Sequence, residues 1–347
     1  MKKIYKRNWL FELKSLAVMG ALLFAGTAAA QLNGTYTIDA SGSGDFASFA
    51  ELSDTLMSDG VSGAVTINVV AASGPYSEQF YLDEISGASS TNTITINGNG
   101  ERIKASSPII ELEGTDFITF DNLEIEQTGG NNNKMFLAYD DVESITINDC
   151  ELIATTGNAY SGYPGYYTSA YIWFGNHNFA YQTPSDETSD ITITNNILWK
   201  GTSSINGIGK NHGIVISNPT SFTSDQNIEV KDNDIQDVGQ YGIYTRYASG
   251  WNIENNNIHN DNNNASTYCY GIYVYDYFFG GSKVVTIHNN KITKLAKSRS
   301  YAYLSLYGIY AYGYYADVDF DITNNIIDLE GPYYKYGIYG YAYQASG

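Results

Sequence analysis

The sequence predicts an all-β chain wound as a right-handed parallel β-helix, a solenoid with one short capping helix at its start. Three observations carry that prediction. The pattern apolar-x-apolar-x-[Asn/Asp/Gly]-x-x-apolar recurs as Ile118/Phe120/Asn122/Ile125, Ile145/Ile147/Asp149/Leu152, Ile191/Ile193/Asn195/Leu198 and Ile228/Val230/Asp232/Ile235. It continues as Trp251/Ile253/Asn255/Ile258, Val285/Ile287/Asn289/Ile292 and Phe320/Ile322/Asn324/Ile327, with Ile94/Ile96/Gly98 as a degenerate first copy. Period-two alternation marks a strand with one buried face, and Asn or Asp then turns the chain, because these residues tolerate left-handed backbone. Between the copies lies a second strand signal, YGIY at residues 241–244, 270–273, 307–310 and 336–339, with HGIV at 212–215. The third observation is spacing. From Asn195 onward the turn residues are 37, 23, 34 and 35 positions apart, and a repeat of 23 cannot hold a propeller blade of about 40–45 residues. Units this small bury their apolar faces by stacking, each rung rising about 4.8 Å above the last.

Composition agrees. Among 347 residues there are 34 Gly and 32 Tyr, and only 16% are charged, which suits many short strands and tight turns.

Residues 1–30 read as a secretory signal peptide. Lys2, Lys3, Lys6 and Arg7 precede an apolar run at residues 16–26, and Ala28-Ala29-Ala30 supplies a small-residue cleavage site. The run is too short to span a bilayer, so the mature chain is expected to be secreted or held at the cell surface. Removing this leader takes away five Lys/Arg and one Glu and moves the formal net charge from −19 to −23. So acidic a surface excludes nucleic acid, whose binding needs Lys and Arg to displace counterions. It is compatible with calcium and with neutral or cationic glycans.

Residues 31–62 form an N-terminal cap. The stretch 48–59 fits an amphipathic helix with Phe49, Leu52, Leu56 and Met57 inward, Ser48 and Glu51 at capping-box spacing, and Gly60 as the stop. Rungs fill residues 63–347. The last is YGIYGYAYQASG without a second cap, so the expectation is a monomer or part of a longer chain. Cys150 and Cys269 fall three rungs apart, roughly 14 Å, beyond the reach of a disulfide; two separate thiols are expected.

The start of the mature chain has a recognisable order: GTYTIDASGSGDFASF at residues 34–49, GPYSE at 74–78 and TITINGNG at 93–100. It resembles the N-terminal rungs of pectin methylesterases. With GVSGAVTINV and ISGASSTNTITI at 60–69 and 85–96, it resembles still more the opening of exported β-helix surface proteins of type IX-secreting, gliding bacteria. The resemblance spans residues 31–125 and implies the pectin-lyase-like fold. The methylesterase family's two catalytic aspartates do not carry over: no QDT occurs, and the nearest stretch to DFIFG is YIWFG at 171–175, with Tyr171 in the aspartate's place. Polygalacturonase-like order is reversed, Arg102 preceding the Asn211-His212-Gly213 turn, and a lyase-like pairing would rest on Arg246 near Asp276 alone.

Function is therefore sought outside catalysis. With Ile243, Ile272, Ile309 and Ile338 inward, Tyr244, Tyr273, Tyr310 and Tyr339 point outward, and Arg246, Tyr275, Tyr312 and Tyr341 form a neighbouring outward column. Beside them Gly242, Gly271, Gly308 and Gly337 would leave a groove. The expectation is a non-catalytic exported adhesin or stalk that stacks a polysaccharide or cell-surface glycan on this stripe, with polar contacts from Asp261-Asn262-Asn263-Asn264. The alternative is a polysaccharide lyase or esterase with unrecognised catalytic residues. The recurring Asn122, Asp149, Asn195, Asp232, Asn255, Asn289 and Asn324 are read as structural, each turning a corner and bonding to its counterpart one rung away.

Overall fold

The computed structural model describes residues 30–106, 108–129, 134–155, 169–175, 188–201, 210–217, 226–247, 250–260, 268–276, 283–295, 305–314, 318–330 and 334–343. The chain divides into residues 1–31 and 32–347. The leader, residues 1–29, and the Asn-rich stretch 261–264 lie outside the described residues.

From Leu32 on, the chain is a parallel β-helix. Each full turn contributes one strand to each of three sheets, and sheet neighbours come from successive turns. Among the described residues the first sheet has ten strands, from Leu32–Ile38 and Val61–Val69 to Val318–Thr323; the second has eight, from Arg102–Ser106 to Ile326–Asp328; the third has nine, from Phe80–Leu82 to Tyr334–Tyr343. All of these pairings are parallel, and the apolar positions coincide: Ile147 lies beside Phe120 on one side and Ile193 on the other. The alternating isoleucines form one continuous core.

The capping helix α1 spans Phe49–Asp59. The Ser48 side chain accepts from the Glu51 amide, and the Gly60 N–H closes on the Leu56 carbonyl at φ 70°. Phe49, Leu52 and Leu56 are buried, and Met57 packs at the edge of the core. Glu78, from the GPYSE turn, adds a carboxylate that accepts from the Phe49 and Ala50 amides at 3.0 and 3.1 Å, where the helix dipole favours negative charge. Tyr76 of the same turn packs edge-on against Phe49, ring centres 5.1 Å apart. These residues tie the helix to the first rungs.

The corner between the first and second sheets corrects the expected ladder by one residue. Asn122, Asp149, Asn195, Asp232, Asn255, Asn289 and Asn324 all adopt left-handed backbone, φ between 50° and 60°. The rung-to-rung amide ladder belongs to the residue after each of the last five: Asn196, Asn233, Asn256, Asn290 and Asn325. In the four steps from Asn196 to Asn325 each Nδ2 donates to the next Oδ1 at 2.9–3.0 Å. The same Oδ1 accepts the preceding Asn backbone N–H at 2.9–3.1 Å. The second Nδ2 proton goes down to a backbone carbonyl, as from Asn256 to Val230 at 2.8 Å. The reason is geometric. A left-handed residue reverses the alternation, so its own side chain points out and its successor's points in. Every donor of the buried amides is thereby satisfied, as burial demands.

Cys150 stands at the foot of this ladder. Its N–H donates to Asn196 Oδ1 at 2.9 Å, and its thiol faces the Phe120 and Asn148 carbonyls. Cys150 and Cys269 are both buried and are not joined in a disulfide, and burial pushes the Cys150 thiol up to about 12.

Candidate functional site: the outer face of the third sheet

The third sheet carries the tyrosine-rich strands, among them Tyr241–Arg246, Tyr268–Asp276, Ser305–Tyr314 and Tyr334–Tyr343. Their glycines explain how they sit. A Cβ on Gly271 would lie 2.5 Å from Ile292 Cγ2 and 2.7 Å from the Gly308 carbonyl oxygen; Gly242 and Gly308 meet the corresponding atoms of their own turns. The space beside these glycines is filled from within by the second sheet's isoleucines. The expected groove is absent at Gly242, Gly271 and Gly308. The glycine instead lets two successive residues face the core, so the tyrosines on both sides of Gly-Ile emerge on the outer face.

Three outward columns result, not two. In the first, His212, Tyr241, Tyr270, Tyr307 and Tyr336 follow one another with ring centres 5.1, 5.1, 4.8 and 4.7 Å apart. In the second, Tyr244, Tyr273, Tyr310 and Tyr339 stack at 5.3, 4.7 and 4.9 Å, with interplanar angles of 16°, 0° and 17°. In the third, Tyr275, Tyr312 and Tyr341 stack at 5.0 Å each, planes within 10° of parallel. The first and second columns meet edge to face, as between Tyr270 and Tyr273 at 4.9 Å and 89°. Parallel stacking within columns and T-shaped contact between them are both favourable ring geometries.

Two consequences follow. An interior ring such as Tyr310 has a tyrosine against each face, so a sugar cannot lie flat on it without breaking the stack; the rings offer solvent their edges and hydroxyls. The columns also differ in depth. Tyr244 is only 8% exposed and packs with Leu137, Ala170, Trp173 and Val215 in a small apolar cluster outside the main core. Tyr273, Tyr275, Tyr310 and Tyr312 are half-buried, and Tyr339 and Tyr341 are exposed. Burial raises three of these phenols: the Tyr310 hydroxyl is pushed up to about 12 and those of Tyr244 and Tyr273 higher still.

Arg246 closes the third column from below. Its guanidinium lies 4.7 Å from the Tyr247 ring centre and 5.8 Å from that of Tyr275, and Nη2 donates to Tyr247 Oη at 2.9 Å. These are cation–π contacts. The side chain of Asp276, its suggested lyase partner, lies outside the described residues. His212 is 1% exposed, between Trp173 and Tyr241, which leaves it no access to a substrate. Tyr171 is fully buried in the main apolar core, so an aspartate in its place would have no access to a substrate.

The early rungs of the same face carry a group that sequence reasoning missed. Glu111 and Glu113 both accept from the Tyr139 hydroxyl at 3.1 Å, and Glu113 also accepts from Tyr81 at 2.8 Å. Desolvation, reinforced by these carboxylates, raises both phenols above their ordinary range. Glu111 pairs with Leu137 and Leu137 with Trp173, so carboxylates, indole and phenols occupy successive rungs of one outer face.

Among the described residues no group of three or more His, Cys, Asp or Glu could hold a metal ion, and no helix is long and apolar enough to cross a membrane. Compared with protein-family models, curated proteins and solved structures, the chain matches none.

Proposed function

We propose that the chain is a non-catalytic β-helix surface protein, an exported adhesin or stalk of the kind made by type IX-secreting bacteria. Its tyrosine face would contact a polysaccharide or cell-surface glycan. The observation that carries this reading is the run of three registered phenol columns on one outer face. The rings stack on one another, so the contact is made by hydroxyls and ring edges, at one rung per step of about 4.8 Å. Such a row donates and accepts hydrogen bonds to sugar hydroxyls while the ring edges cover their apolar C–H groups. The acidic balance favours neutral or cationic glycans over anionic ones. The test is a glycan array combined with a depolymerisation assay on the same polysaccharides. Binding without product release is expected, and product release would overturn the reading.

A second reading, a polysaccharide-active enzyme, is favoured by one observation: Glu111 and Glu113 converge on the Tyr139 hydroxyl. Paired carboxylates are what glycoside cleavage uses. Any depolymerisation that Glu113→Gln abolishes would establish it.

A further inference from the structure

We infer that the tyrosine columns are a site of oxidative cross-linking, in which one-electron oxidants staple successive rungs through dityrosine. The geometry points to this independently of what the face binds. Coupling two phenols requires two oxidised rings in contact, a condition isolated surface tyrosines meet only by collision between molecules. Here Tyr273 and Tyr310 are 4.7 Å apart with parallel planes, and Tyr275 and Tyr312 are 5.0 Å apart at 2°. Tyr312 has a second stacked neighbour in Tyr341 at 5.0 Å, and Tyr310 has one in Tyr339 at 4.9 Å. Rings in such contact exchange an electron vacancy readily, so two oxidising events anywhere in a column can end on adjacent rings.

The chemistry balances with a peroxidase and hydrogen peroxide as oxidant. Each of two phenols gives up one electron and its hydroxyl proton. The two phenoxyl rings then join through a new carbon–carbon bond ortho to the oxygens, and the displaced ring hydrogens return to the oxygens. One hydrogen peroxide is reduced to two waters. The product is lighter than the pair of tyrosines by two hydrogen atoms. Partial exposure of Tyr275 and Tyr312 gives the departing protons a route to water. The Arg246 guanidinium beside Tyr275 disfavours positive charge at that end and biases oxidation toward Tyr312 and Tyr341.

The experiment treats the purified protein with peroxidase and hydrogen peroxide at two protein concentrations, follows dityrosine fluorescence, and maps cross-linked peptides by mass. The expected result is intramolecular links between consecutive rungs, Tyr275–Tyr312, Tyr312–Tyr341 and Tyr273–Tyr310, at a rate per molecule independent of concentration. In Tyr312→Phe, which keeps the ring, the first two links should vanish and the third persist. Tyr81, exposed but outside the columns, is the internal control. Links formed only between molecules, links to Tyr81 as frequent as those within columns, an absence of dityrosine, or an unchanged link pattern in Tyr312→Phe would each overturn the inference.

Discussion

The early and late turns of this solenoid solve the same problem with different side chains. Between α1 and Phe174 the interior is held by phenyl rings: Phe49, Phe80, Phe120, Phe136 and Phe174 follow one another at 5.3–6.1 Å, mostly edge to face. From Ile191 onward the described interior is chiefly isoleucine and valine, with Trp251 buried among them. Order there comes from two ladders, asparagine amides at an inner corner and tyrosine rings outside. Phenyl packing is large but weakly directional, so it tolerates slippage between rungs. An amide ladder is satisfied in one register only, since a shift by one residue turns every inward side chain outward. The late turns, with more uniform isoleucine faces and long connections, have more need of that restraint.

The largest expected effect tests the phenyl half. Phe136→Ala removes a buried ring that touches both Phe120 and Phe174 and should cost about 3–5 kcal/mol in urea denaturation. A loss near zero would mean the early core is not held as described. In the late half, Asn256→Ala leaves two buried donors without their acceptor, the Asn233 N–H and Nδ2, at about 1–3 kcal/mol each. Hydrogen exchange should place the loss in the rungs on either side, because solenoid rungs interact chiefly with their neighbours. Uniform loss along the whole solenoid would contradict that.

Gly271→Ala is expected to cost about 1–3 kcal/mol by overpacking, since its Cβ would overlap Ile292. Gly340→Ala, where nothing lies within 4 Å, should cost far less. Equal effects would undo the account of why YGIY carries its glycine.

The phenols set an alkaline limit. The folded pKa values of Tyr244, Tyr273 and Tyr310 are raised, that of Tyr310 to about 12, against about 10 when unfolded. The unfolded chain therefore releases protons that the folded one keeps. Stability from these groups is fully present below pH 10 and declines as pH rises through 10 toward 12 and above. Phenolate absorbance followed during an alkaline titration should show Tyr244, Tyr273 and Tyr310 titrating together with loss of structure. Titration of these three near 10, with the fold intact, would refute it.

Much of this was legible in the residues. Alternating isoleucines identify the strands, and the recurring turn residues establish which rungs pair. The cap could be read from Ser48, Glu51 and Gly60. Which amide of each pair faces inward could not be read, because Asn195 is left-handed and breaks the alternation that locates every other side chain. The first tyrosine column was hidden for a similar reason: Gly271 and Ile272 both face the core, so Tyr270 and Tyr273 share a face that period two would assign to one of them. The Glu111–Glu113–Tyr139–Tyr81 group left no signal, since its members come from turns 26–32 residues apart joined by connections of unequal length.

The tyrosines hold one another by their faces, and the proposed function has them meet a ligand with their hydroxyls. Its most direct test is the double variant Tyr275→Phe/Tyr312→Phe, compared with the double alanine variant in thermal melting and on a glycan array. The phenylalanine variant should melt like the parent yet lose glycan binding, while the alanine variant loses both stability and binding. Glycan binding that survives in the phenylalanine variant would contradict the claim.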